Sequence, residues 1–230
     1  MKILLVNDDG FGAPGIITLE KLLSRLGEVF VVAPKEHMSG KSMSTTILKP
    51  FFVKKIDEHH HIVDATPVDA TSYGVLALKE KFDIVFSGIN SGPNLSYDTL
   101  YSGTIGAALQ ANLYGIPSIA FSCFNNFDIV TKYFDEVMQF IDNHHLIAPH
   151  RTISVNFPRG ESIKGIVFAK PSMRKDELFL HHDDEEVHFS RKVHIPKDEE
   201  SDEKKIMEGY ITITIFNPCY HVEEDMNCMM

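Results

Sequence analysis

The apolar run Ile3-Leu4-Leu5-Val6 ends, after Asn7, on the adjacent acids Asp8 and Asp9. A run of this length reads as a buried strand. The Gly10-Phe11-Gly12-Ala13-Pro14-Gly15 segment that follows cannot continue it, so both acids emerge at the strand's carboxyl end. In open α/β sheets that end is where ligands bind. Two unit charges about 4 Å apart repel by roughly 4 kcal/mol at an effective dielectric near 20, so a chain that pairs them calls for a cation or a shared proton.

From Met1 to Phe124 short apolar runs alternate with helical patterns, as a parallel sheet with crossover helices does. The expected strands are Lys2 to Val6, Val29 to Ala33, Asp83 to Ser87 and Ser118 to Ser122. Helices are expected at Gly15 to Leu26, Pro67 to Leu78 and Thr104 to Tyr114, the second announced by Thr66 as N-cap with Pro67 at the first helical position. Gly40 to Thr46 is small, polar and serine-rich and follows a strand, which suits a loop acting as a lid. A helix from Ile129 to Asp142 and a strand around Thr152 to Asn156 extend the core. Arg174 to Lys205 carries 11 acidic against 7 basic side chains with little apolar periodicity, which reads as an exposed excursion or an arm on a partner chain. Tyr210 to Phe216 alternates as a half-buried strand does. The expected fold is α/β, a Rossmann-like, mostly parallel sheet with helices on both faces. Residues 1–230 form a single domain in this reading, with a core over 1–125 and appended strands and an arm over 150–230.

Composition narrows the function. A net charge of -10 opposes a broad nucleic-acid-binding face, which needs clustered Lys and Arg. The three cysteines, Cys123, Cys219 and Cys228, cannot all pair and match no zinc spacing, which points to the reducing cytoplasm. The first apolar run is too short and too soon charged for a signal peptide, and no stretch has the apolar length to span a bilayer. The 12 histidines include His59-His60-His61, His144-His145 and His181-His182. Each run sits in a polar, turn-like context, and adjacent residues do not face one way, so they read as solvated loop residues rather than ligands.

Gly10 to Gly15 satisfies the dinucleotide fingerprint formally, yet the two acids before it would oppose a pyrophosphate, and the second strand ends in Ala33-Pro34 without a ribose-binding acid. A receiver module, whose first strand also ends in an acidic pair, needs a third aspartate that Phe52 to Asp57 does not supply at a strand end. The most specific stretch is Ser87-Gly88-Ile89-Asn90-Ser91-Gly92-Pro93-Asn94, followed by Asp98, Tyr101 and Ser102-Gly103-Thr104. If the strand before it runs parallel to the first, Asn90 reaches the same sheet edge as Asp8 and Asp9, and carboxylate with amide oxygen suits a hard cation. Ser102-Gly103-Thr104 opens a small-residue helix whose free N–H groups suit a phosphate, or is an ordinary N-cap.

Asn7-Asp8-Asp9-Gly10 with Ala13-Pro14-Gly15, Val32-Ala33-Pro34 with Ser39-Gly40, and Ser87-Gly88-Ile89-Asn90 with Tyr101-Ser102-Gly103-Thr104 resemble, in order and spacing, the signature blocks of the SurE family of survival-protein nucleotidases. Glu208 to Thr214 resembles that family's late Gly-Tyr strand. The resemblance implies a metal-dependent phosphomonoesterase acting on nucleoside 5'-monophosphates, with one Mg²⁺ or Mn²⁺ per subunit, assembled as a homodimer or homotetramer. It implies Asp8, Asp9, Ser39 and Asn90 as metal ligands, Asp8 and Asp9 as the catalytic acids, and Asn94, Ser102, Gly103 and Thr104 facing the phosphate. Broader 3'/5'-nucleotidase and exopolyphosphatase activity, or a non-catalytic nucleotide-binding module, are the alternatives. The chain departs from the family pattern at Ser96 and Ala65, where glycine is usual, and at Ile215, where proline is common.

Overall fold

The computed structural model describes residues 1–172, 177–183, 186–192 and 198–217. In chain order the elements are β1 (Lys2–Val6), α1 (Pro14–Leu23), β2 (Glu28–Pro34), β3 (Val53–Lys55), β4 (His60–Val63), α2 (Pro67–Ala77), β5 (Ile84–Ser91), α3 (Asp98–Tyr101), α4 (Gly103–Leu113), β6 (Ser118–Cys123), α5 (Phe127–Asn143), β7 (Thr152–Asn156), β8 (Gly165–Phe168), β9 (Glu177–Asp183), β10 (Glu186–Lys192), α6 (Asp202–Met207) and β11 (Tyr210–Phe216). Cys219 and Cys228 lie outside the described residues; Cys123 is buried and free.

Nine strands form one sheet in the order β3-β4-β2-β1-β5-β6-β7-β11-β8. The pairs from β4 through β7 are parallel, and only β3–β4 and β7–β11 are antiparallel. Strand β1 pairs with β2 on one side and β5 on the other, so the strand order reverses there and a crevice opens at the carboxyl ends of β1 and β5.

The apolar run of β1 is buried throughout because the sheet is covered on both faces. Ile3 and Leu5 join the cluster of Ile16, Leu19 and Leu23 from α1 and Phe134, Val137 and Ile141 from α5. Leu4 and Val6 join the opposite cluster with Ala70 of α2 and Ala107 and Ala111 of α4. Each large side chain buried this way contributes about 2 kcal/mol relative to exposure. Helix α2 starts as its sequence dictates: Thr66 and Asp69 form a reciprocal capping box, with Pro67 in the first turn.

One expectation needs correction. His60 and His61 are not in a loop: they open β4, registered parallel to Val31 and Val32 of β2, and His61 is 4 % exposed. His60 is a strut, its Nε2 2.8 Å from Glu20 Oε1 and its Nδ1 2.8 Å from Asp57 Oδ1. Burial lowers its pKa, but the bonds to Asp57 and Glu20 outweigh that and hold it above the ordinary value. The acidic segment is exposed, as expected, and it is regular: β9 and β10 pair antiparallel as a separate hairpin, exposed along both strands. Its end turns inward, where Asp202 is 1 % exposed and accepts from the N–H groups of Ser96 and Ser172. Ser96 takes φ of 52°, the left-handed region that glycine enters most freely, and its hydroxyl donates to Ser172 O at 2.7 Å.

Candidate active site

Three chain segments meet at the crevice. Asp8 and Asp9 leave β1 on a turn that Asn7 pins by donating Nδ2–H to Gly10 O at 2.9 Å. The segment after β2 carries Ser39 and is fastened at its start by Met38 N–H to Asp8 O, 2.7 Å. It is fastened further on by Ser42, whose N–H reaches Tyr101 O at 2.9 Å and whose hydroxyl reaches Leu100 O at 2.7 Å. Gly106 permits this: a Cβ there would lie 2.3 Å from Ser42 O. Asp69 ties the far end, accepting from Thr46 N–H at 3.0 Å.

Asn90 comes from β5, where the register with β6 passes from Ser87↔Ala120 to Asn90↔Ser122. That spacing inserts one extra residue, and such a bulge re-aims the side chains beyond it. The Asn90 amide donates Nδ2–H to Gly92 O at 2.7 Å, which turns Oδ1 to the other side.

Asp8, Asp9, Ser39, Asn90, Asn94 and Ser102 line one open cleft of about 320 Å³, together with His37, Asp98 and Tyr101. Gly103 and Thr104 are not in its wall. Gly103 is buried behind Asp8; a Cβ on it would come 2.9 Å from Asp8 Cβ and 3.1 Å from Oδ2. The Thr104 hydroxyl is turned away from any ligand, because it donates to Asp8 Oδ1. Ser102 caps α4, accepting from Ile105 N–H at 3.1 Å, and helix geometry leaves the N–H groups of Gly103 and Thr104 without intrahelical partners. Asn94 Nδ2 is 2.9 Å from Ser122 Oγ, and its backbone is clasped by Asn156.

Burial pushes the Asp8 carboxyl up to about 6, against the Thr104 hydrogen bond, which lowers it, while the Asp9 charge raises it further. Asp9 is held differently: Oδ2 accepts from Ser91 N–H at 3.2 Å, and Oδ1 lies 3.3 Å from His37 Nδ1. Among the described residues the wall thus presents three carboxylates and no Lys or Arg. Alone it repels a phosphate. A hard divalent cation fits it, since the converging donors are carboxylate, hydroxyl and amide oxygens. Among the described residues no group of three His, Cys, Asp or Glu side chains is set to hold a metal, so the two acids would need Ser39 and Asn90 to complete the set.

Sequence reasoning passed over His37 and Arg191. His37 carries no motif. Arg191, in β10, sits in a charge-dense run without periodicity, yet it donates Nη1–H to Oδ1 of Asp98 at 2.7 Å.

Comparison with known proteins agrees with this architecture. Residues 3–177 match the family model described as survival protein SurE. The chain is 37 % identical over 227 residues to the 5'-nucleotidase SurE of Aquifex aeolicus, covering 92 % of this chain and 90 % of that protein. It is 36 % identical over 233 residues to the 5'-nucleotidase SurE of Clostridium beijerinckii, covering 93 % and 92 %. The crystal structure of the SurE protein from Aquifex aeolicus superposes with a TM-score of 0.85 at 33 % identity, covering 100 % of this chain and 98 % of that one.

Proposed function

This chain belongs to the SurE family of survival proteins, and on that premise we propose that it is a 5'-nucleotidase, a phosphomonoesterase that hydrolyses nucleoside 5'-monophosphates to nucleoside and phosphate. The observation that carries the reading is the convergence of Asp8, Asp9, Ser39 and Asn90 on one cleft beside the amino terminus of α4.

In this reading Asp8 and Asp9 are the catalytic acids and, with Ser39 and Asn90, hold one divalent cation per subunit, Mg²⁺ or Mn²⁺. Such a cation neutralises phosphate charge and acidifies water when bound. The chain's own residues do the rest. Thr104 favours the charged form of Asp8 by donating to it. The hydroxyl of Ser102 donates to phosphoryl oxygens at the positive end of the α4 dipole, to which the N–H groups of Gly103 and Thr104, set behind Asp8, contribute. Asn94 donates one Nδ2–H to Ser122 Oγ at 2.9 Å and has a second Nδ2–H for the cleft.

The protein works in the cytoplasm, in keeping with a free buried Cys123, as a homodimer or homotetramer. The exposed hairpin supports the assembly: Leu178 and Phe189 are 69 % and 74 % exposed, and an isolated two-stranded sheet needs packing to be stable. No helix among the described residues is long and apolar enough to cross a membrane.

The test is phosphate release from AMP, GMP and p-nitrophenyl phosphate with Mn²⁺ or Mg²⁺. Release that stops with EDTA and returns with excess metal is expected; no release with either metal would overturn the assignment.

A further inference from the structure

Asp98 stands in the wall of the cleft, at the first residue of α3, although a third carboxylate is the wrong charge for a phosphate site. Its neighbour resolves this. Arg191, brought from β10 of the exposed hairpin, grips the carboxylate with both arms of its guanidinium, Nη1 2.7 Å from Oδ1 and Nη2 3.4 Å from Oδ2. The pair is part-exposed, at 41 % for Arg191 and 31 % for Asp98. A guanidinium fork fixes a carboxylate in one plane and cancels its charge, while each oxygen keeps a further lone pair for another donor.

A neutralised, oriented, acceptor-only group beside a phosphate site is complementary to vicinal hydroxyls, which are donors close to the phosphate of a nucleotide. We propose that Asp98, positioned by Arg191, accepts hydrogen bonds from the ribose hydroxyls of the substrate and so makes the enzyme prefer ribonucleotides over 2'-deoxyribonucleotides. The proposal rests on the nucleotidase reading and names a specificity residue of that same cleft. It also gives the acidic arm a task in the site: the hairpin supplies the guanidinium that makes Asp98 usable. A site that hydrogen-bonds a substrate hydroxyl discriminates against the analogue lacking it, because the part-exposed Asp98 gives up water to the bound nucleoside and then faces no donor there.

The experiment compares steady-state kinetics of the metal-loaded wild type, Asp98→Asn, Asp98→Ala and Arg191→Lys on AMP, dAMP and p-nitrophenyl phosphate, which has no ribose. Wild type is expected to favour AMP over dAMP by about tenfold or more in kcat/KM. Asp98→Ala is expected to raise KM for AMP by about tenfold, with kcat little changed, and to erase the preference. Arg191→Lys keeps the charge without the fork and is expected to fall between. p-Nitrophenyl phosphate turnover should change by less than AMP turnover in every variant, and far-UV circular dichroism reports that each has folded. Equal wild-type efficiency on AMP and dAMP would overturn the ribose assignment, as would a parallel loss on all three substrates in the isosteric Asp98→Asn. Turnover of p-nitrophenyl phosphate with neither nucleotide accepted would instead overturn the nucleotidase reading, and the ribose site with it.

Discussion

Thr104, in the first turn of α4, donates its hydroxyl hydrogen to Oδ1 of Asp8 across 96 positions of chain, and both side chains are buried. A carboxylate out of water needs such a donor to stay charged. Thr104→Val keeps the shape and removes the donor. The Asp8 carboxyl then rises beyond about 6, because the bond that lowers it is gone. Manganese affinity by calorimetry should fall about tenfold at pH 7.5, with a stability loss of about 1 to 3 kcal/mol that shrinks at pH 5.

The same acid sets a pH dependence in metal-free protein. Its folded value of about 6 lies above the ordinary 3.8, so the folded state binds the extra proton. The penalty for burying its charge is complete above pH 6 and is relieved as pH falls from 6 towards 3.8. A displacement of that size corresponds to about 3 kcal/mol. In EDTA, Asp8→Asn should therefore be more stable than wild type by up to about 3 kcal/mol at pH 8 and no more stable at pH 4. Phosphate release should be abolished at both. Denaturant unfolding at the two pH values checks the sign; a variant less stable at pH 8 would contradict it.

Metal binding should show the complementary trend. A cation favours the Asp8 carboxylate and competes with its proton, so Mn²⁺ affinity should fall by about tenfold per pH unit below pH 6 and level off above it. Titration calorimetry across that range distinguishes this from a flat profile.

Gly103 cannot carry a side chain without displacing Asp8, since a Cβ would lie 2.9 Å from Asp8 Cβ. Gly103→Ala should cost about 1 to 3 kcal/mol in stability and at least about tenfold in kcat/KM, measured by urea unfolding and phosphate release. Gly12→Ala is the control, since that position has open space; its φ of 83° makes it a small stability loss without an activity loss.

Asp69 serves two structures, completing the capping box of α2 and holding Thr46 at the end of the serine loop. Asp69→Ala should cost about 2 kcal/mol and speed proteolytic cleavage between residues 40 and 46. Unchanged cleavage would mean that the contacts of Ser42 alone hold the loop closed.

The strands that form the crevice were legible as apolar runs. β1 matches its expectation at both ends, and β2 and β6 extend theirs by a residue or two. β5 runs on to Ser91, past the expected Ser87, because a bulge lets pairing with β6 resume at Asn90. The helices α1, α2 and α4 and the Thr66 cap were legible too, through apolar spacing and the Thr-Pro signal. β4 was hidden because His60 and His61 disguise a four-residue strand that is held between β2 and β3 and buried by tertiary packing. The hairpin was hidden because charged and histidine side chains interrupt its short apolar alternation and, among the described residues, both strands are exposed throughout.

By itself the sequence determined the parallel α/β core and the emergence of Asp8 and Asp9 at its ligand-binding edge, because strand and helix periodicities and turn residues are local properties. It also supplied the family blocks that put Ser39 and Asn90 in view. Only the tertiary structure decided what each residue touches. It turned the Thr104 hydroxyl onto Asp8, set the β5 bulge that aims Asn90, buried His61, and carried Arg191 from an acidic arm to Asp98. Those relationships join positions far apart in the chain, and their energies depend on burial and on distances of about 3 Å that no local pattern encodes.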